Sequence, residues 1–179
     1  MAATASHSQT PRPVLFLGAS VIRFWKAQDP QFFAAHKNYV VRGVPGQTSA
    51  EVLHRAPREL ADVQPAVVVI LAGGNNDAAA GVPAAKTTAN LAAIVALVRA
   101  KGATPVLCAV TSAQPELDAM LADYAQRDSV LFVDFASMRA QDGGFRKGLT
   151  FDGLHPTPAG YHLMDPLVLA AVEKALAGD

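Results

Sequence analysis

The chain has 179 residues, 51% of them hydrophobic, and its 15 basic and 15 acidic side chains cancel. That length fits one domain with a full core. The balanced charge, without a long basic run, gives no footprint for nucleic acid, and no apolar run reaches the ~18 residues of a membrane span.

Residues 1–12 are small, polar and proline-bearing. They lack a basic start and an apolar stretch, so they are expected to form a disordered lead-in, not an intact signal peptide. A single domain is expected over residues 13–179. The compartment stays open: cytoplasmic as written, periplasmic or secreted if a leader has been removed.

Val14-Leu15-Phe16-Leu17 predicts the first strand, ending in Gly18-Ala19-Ser20 and a short helix through Phe24 and Trp25. Tyr39-Val40-Val41 is a weaker second strand. It leads into Arg42-Gly43-Val44-Pro45-Gly46-Gln47-Thr48-Ser49, a tight loop in which Thr48 or Ser49 caps a helix over 49–63. Residues 67–71 give the clearest strand, apolar on both faces as a central parallel strand is. It ends in Gly73-Gly74-Asn75-Asn76-Asp77. A helix over 84–101 stops at Gly102. The fourth strand is expected at 106–110, with Cys108 buried in it; as the only cysteine, it excludes an intrachain disulfide. A helix over 116–127 and a strand over 130–133 follow. The glycine-rich segment 141–148 is either a pocket rim or a plain surface loop. Asp152-Gly153-Leu154-His155-Pro156 then precedes Thr157-Pro158, an N-cap with proline at the first helical position, which opens a last helix to about Leu176.

Strands alternating with helices predict an α/β fold with a parallel sheet covered on both faces. Sites in such folds lie at the carboxyl ends of the strands, so the loops after the first three strands should share one edge. Ser20 opens a helix, where free N–H groups suit an oxyanion; alone, it reads equally as an N-cap. Gly46 lacks a side chain and can turn its N–H toward a substrate oxygen, or serve the turn only. Asparagine amides after the third strand are good oxyanion donors. Asp152 and His155, three residues apart in one turn, can place a carboxylate on an imidazole Nδ1–H and leave Nε2 for a serine hydroxyl. No group of Cys, His and acidic residues has metal-ligand spacing, so no metal is expected. His7 falls in the expected disordered lead-in, His36 and His54 in polar helix contexts, His162 reads as a surface or helix-packing residue, and Phe24, Trp25, Phe32 and Phe33 as core or pocket lining.

These blocks together, in this order, resemble the SGNH hydrolases, or GDSL-type esterases and lipases, from about Val14 to Val172. The nearest likeness is the compact bacterial arylesterase or lysophospholipase-like branch. The resemblance implies a flavodoxin-like three-layer α/β/α sandwich around a five-stranded parallel sheet. It implies Ser20 as nucleophile, Asp152 and His155 as its triad partners, and an oxyanion hole of Ser20, Gly46 and Asn75, with no cofactor. Asn75 is chosen because Gly73 then stands two residues before it; Asn76 is the alternative. The implied substrate is a small-molecule ester, most simply a short-chain acyl or aryl ester. A thioester, a lysophospholipid, an acetylated sugar or a weakly catalytic ligand-binding role are the alternatives. A nucleotide- or phosphate-binding flavodoxin-like protein is a further reading, but no P-loop or dinucleotide glycine pattern supports it. Assembly is open between monomer and homo-oligomer. Two departures stand out: Ala19 occupies the place of the family's aspartate before the nucleophile, and Val41 the place of its asparagine before Arg42-Gly43.

Overall fold

The structure, a computed structural model, describes residues 11–178. Most of the expected lead-in, residues 1–10, lies outside the described residues. Arg12, at its end, donates to the carbonyls of Gln64 and Gly102 at 3.3 and 3.2 Å, and to that of Pro65.

Five strands, β1 (Val14–Gly18), β2 (Tyr39–Gly43), β3 (Val67–Leu71), β4 (Thr104–Cys108) and β5 (Leu131–Val133), form one parallel sheet in the order β2-β1-β3-β4-β5. Every residue of β1 and β3 is buried, which is why both read in the sequence as unbroken apolar runs. The helices are α1 (Ser20–Gln28), α2 (Pro30–Ala35), α3 (Ser49–Val63), α4 (Asn75–Ala79), α5 (Ala84–Ala100), α6 (Pro115–Arg127) and α7 (Pro158–Ala177).

Side chains alternate between the two faces along each strand. Val14, Phe16, Val67 and Val69 meet α1, α2 and α7 through Ile22, Trp25, Phe33 and Val168. Leu15, Leu17, Val68 and Ile70 meet α3, α5 and α6 through Val52, Leu60, Ile94 and Leu121. The result is the expected three-layer sandwich. On the first face Phe16 sits among Trp25, Phe32 and Phe33, with ring centroids 5.4–6.3 Å away. Truncating Phe16 to alanine there should cost about 3–5 kcal/mol.

Three details differ from the sequence reading. The fourth strand lies two residues earlier than expected, because Thr104 already pairs with Val67 and donates to Ala66 O at 2.8 Å. Val110 has left the sheet: its N–H goes to Asp118 Oδ1 at 3.0 Å. The helices α2 and α4 were not expected; each is too short to show an apolar period. For α2 a signal existed, since Asp29 caps it through Phe32 N–H and Pro30 fills its first position.

Candidate active site

The strand order reverses between β1 and β3, and their carboxyl ends carry the Ser20 turn and the Gly73–Asp77 loop on one edge. Gly18 makes the turn to Ser20 feasible: a Cβ there would lie 1.9 Å from Leu71 O. Ser20 is the first residue of α1 and is 8% exposed. Ala19, where the family's carboxylate would stand, is buried and forms apolar wall beside the serine.

His155 comes from the loop before α7. Phe151 N–H donates to His155 O at 2.9 Å and Thr157 N–H to Leu149 O at 3.0 Å, so the loop is a pinned turn. Thr157 caps α7 through Gly160 N–H, as the sequence predicted. Asp152 Oδ1 accepts from Leu154 N–H at 3.0 Å and His155 N–H at 2.8 Å. Its Oδ2 faces His155 Nδ1 at 2.7 Å, and His155 Nε2 lies 2.9 Å from Ser20 Oγ. Burial pushes the Asp152 carboxyl up, but the backbone and ring hydrogen bonds outweigh it and hold it at about 2. A carboxylate only accepts, so the imidazole proton sits on Nδ1 and Nε2 offers its lone pair to the serine hydroxyl. Phe24 sets its ring against the imidazole, centroids 5.6 Å apart.

A small cleft, partly open to solvent, lies beside Ser20 and is lined by Ala19, Gly74, Asn75, Asn76, Val110 and Leu154 among others. The two asparagines differ. Asn76 is half-buried and gives one Nδ2 hydrogen to Gln47 O at 2.8 Å, so its second hydrogen remains for the cavity. Asn75 is exposed, and among the described residues its side chain makes no hydrogen bond. Gly46 does not line this cavity, but it sits next to the Gln47 that fixes Asn76. It takes φ +82°, with nothing within 4 Å of where a Cβ would stand, so its backbone is open.

Several supporting residues were missed from the sequence. Asp77, 1% exposed, accepts from Ser49 N–H and Thr87 Oγ1, each at 2.6 Å, and from Ser49 Oγ. Asn90 Nδ2 in turn donates to Ser49 Oγ at 2.8 Å. This buried network ties the loop after β2 to the loop after β3. Thr48, not Ser49, caps α3, in a capping box with Glu51. Arg55 donates to Gly18 O at 2.7 Å, Arg42 O at 3.1 Å and Gln47 Oε1 at 2.7 Å, bracing the ends of β1 and β2. No pattern within α3 marks it.

The segment 141–148 does not line the cavity. It folds over Arg139, which donates to Ser112 O, Gly143 O and Val110 O at 2.9, 3.1 and 2.6 Å and so stiffens the far wall. Cys108 is buried in β4, and burial pushes its thiol well above its ordinary range. Among the described residues no group of three or more His, Cys, Asp and Glu is placed to hold a metal ion, and no helix is long and apolar enough to cross a membrane.

The model of a GDSL-like lipase/acylhydrolase family matches residues 18–163. A GDSL-like lipase from Bacteroides thetaiotaomicron is similar at 29% identity and TM-score 0.84, over 92% of this chain and 89% of that one. A candidate acylhydrolase from Bacteroides fragilis is similar at 29% identity and TM-score 0.85, over 96% and 93%. A psychrotrophic esterase from Pseudoalteromonas sp., at 20% identity and TM-score 0.71 over 93% and 99%, shares the fold. No curated protein matches the sequence significantly.

Proposed function

The chain belongs to the GDSL-like lipase/acylhydrolase family, and from that premise we propose that it is a serine esterase that hydrolyses short-chain acyl or aryl esters through Ser20, His155 and Asp152. The observation that carries this reading is the continuous relay from Ser20 Oγ to His155 Nε2 at 2.9 Å and from His155 Nδ1 to Asp152 Oδ2 at 2.7 Å.

In this reading His155 Nε2 takes the Ser20 proton as Oγ attacks the ester carbonyl. The carbonyl π electrons move onto oxygen, and the oxyanion is met by the N–H groups of Ser20 and Gly46 and by an asparagine amide. The fixed, half-buried amide of Asn76 suits that role better than the exposed Asn75, because a donor already held in place costs no reorganisation during the reaction. The tetrahedral intermediate collapses, the C–O bond to the alcohol breaks, and the imidazolium protonates the leaving oxygen. Water, deprotonated by the same imidazole, then attacks the acyl-enzyme and frees the acid and Ser20. Asp152 holds the ring in the productive tautomer throughout. A short acyl group is favoured because Val110 closes the cavity against Gly74: a Cβ on that glycine would meet Val110 at 3.1 Å.

Reaction with a fluorophosphonate tests the reading. One adduct per chain is expected, mapped to Ser20 by mass spectrometry and lost in His155→Ala. Labelling that survives His155→Ala at an undiminished rate, or that maps elsewhere, would remove the relay from the mechanism.

A further inference from the structure

An ester has two sides, and the cleft beside Ser20 receives only the acyl one. His155 Nε2 protonates the departing oxygen, so that oxygen comes within hydrogen-bond reach of the imidazole and the body of the alcohol extends past the ring. The side chains set around His155 therefore meet the alcohol first.

Among the described residues the large apolar side chains left exposed are Phe24, Val44, Phe151, Leu163 and Leu176. Phe24 and Phe151 stand on the two segments that carry the reacting groups. Phe24 lies one helical turn after Ser20 in α1, on the same face. Its ring is 40% exposed and meets the His155 ring edge-on, with centroids 5.6 Å apart and planes at 66°. Phe151, 65% exposed, directly precedes Asp152, and its N–H is bonded to His155 O at 2.9 Å. Neither ring joins the apolar clusters on the two faces of the sheet. Val44 follows β2, and its N–H donates to Gly18 O at 3.2 Å, so a third exposed apolar side chain springs from the backbone that frames the Ser20 turn. A lone exposed phenylalanine is ordinary. This pair differs in being tied to one imidazole, Phe24 through its ring and Phe151 through its backbone.

We infer that Phe24 and Phe151 form the alcohol subsite, an apolar platform beside His155 that takes the hydrocarbon body of the leaving alcohol. The enzyme then selects esters of bulky apolar alcohols, benzyl alcohol among them, over esters of small or polyhydroxylated ones. This rests on the serine esterase reading. Val110 closes the acyl side against Gly74, whereas both phenylalanine rings face solvent. Size is limited at the acyl group and admitted at the alcohol. A ring laid against Phe24 removes apolar surface of both partners from water and adds an aromatic pair. The carboxylate of the same turn is not free to read sugar hydroxyls. Asp152 Oδ1 is held by the N–H groups of Leu154 and His155, and Oδ2 by the His155 ring. The platform acts in acylation only, because the alcohol has left before water attacks the acyl-enzyme.

The test is kcat/KM for benzyl acetate, ethyl acetate and methyl 6-O-acetylglucoside in the wild type, F24A, F24Y and F151A. The three esters pass through the same acetyl-enzyme and differ only in the alcohol. The wild type should prefer the benzyl over the ethyl ester by about 10–100-fold. F24A should cut that ratio about tenfold and F151A about threefold, while F24Y, which keeps the ring, should hold it within about twofold. A Phe24 that only steadies the imidazole would slow both esters alike, so an unchanged ratio in F24A would overturn the subsite and leave the esterase intact. A wild type that favours the ethyl or the glucoside ester would do the same. A wild type that hydrolyses none of the three and takes no fluorophosphonate would overturn the esterase reading itself, and the subsite with it.

Discussion

Replacing Asp77 by alanine should be among the most damaging single changes near the site, although Asp77 is not assigned any contact with substrate. Its carboxyl accepts three hydrogen bonds, two from Ser49 and one from Thr87. All three residues are at most 1% exposed, so water does not replace the lost acceptor. Each hydrogen bond is worth about 1 kcal/mol net, and each donor left unsatisfied costs about 1–3 kcal/mol more. The hydroxyls of Ser49 and Thr87 can turn toward other acceptors, which leaves the Ser49 N–H as the certain orphan. The loss is then about 4–6 kcal/mol. At about 2–4 °C per kcal/mol for a chain of this size, Asp77→Ala should lower Tm by about 8–24 °C. Thr87→Val, which removes one donor and leaves the carboxyl in place, should cost about 1 kcal/mol. The assay is thermal unfolding followed by circular dichroism, with ester hydrolysis measured at least 15 °C below each variant's midpoint. There kcat of Asp77→Ala should still be reduced, because the loop carrying Asn76 has lost its anchor to Ser49. A Tm within about 3 °C of the wild type would refute the view that this network holds the two loops together.

Asn76→Ala should lower kcat by about 10²–10³ and Asn75→Ala by less than about fivefold, measured on the same acetate ester; the reverse order would restore the other register. Asp152 stays ionised down to about pH 2, so its hold on the His155 ring persists through mild acidification. Its own stabilising turn is present above about pH 4 and is lost only as pH falls through about 2, which circular dichroism follows. Val110→Ala should open the closed end of the cavity and raise kcat/KM for butyrate relative to acetate by about tenfold, the worth of a methylene or two. An unchanged ratio would place the acyl group elsewhere.

The central strands and α3 were legible because burial on both faces, or on one helical stripe, writes itself directly into residue order. Strand β4 slipped by two residues because Val110 is as apolar as its strand neighbours, yet serves the cavity wall. Ser20, Asp152 and His155 stood out by residue type and spacing, and the fold brings them within hydrogen-bond distance. The choice between Asn75 and Asn76 was not legible: it depends on where Asp77 is buried, and that is decided by Ser49, Thr87 and Asn90 from separate elements.

The central claim is that Ser20 is the nucleophile of an ester hydrolase. The most direct measurement is hydrolysis of p-nitrophenyl acetate by the wild type and by Ser20→Ala, purified in parallel and matched by circular dichroism. Turnover in the wild type and a loss of about 10⁴–10⁶ in kcat in the variant is the expected result. A Ser20→Ala protein that keeps the wild-type rate would contradict the account.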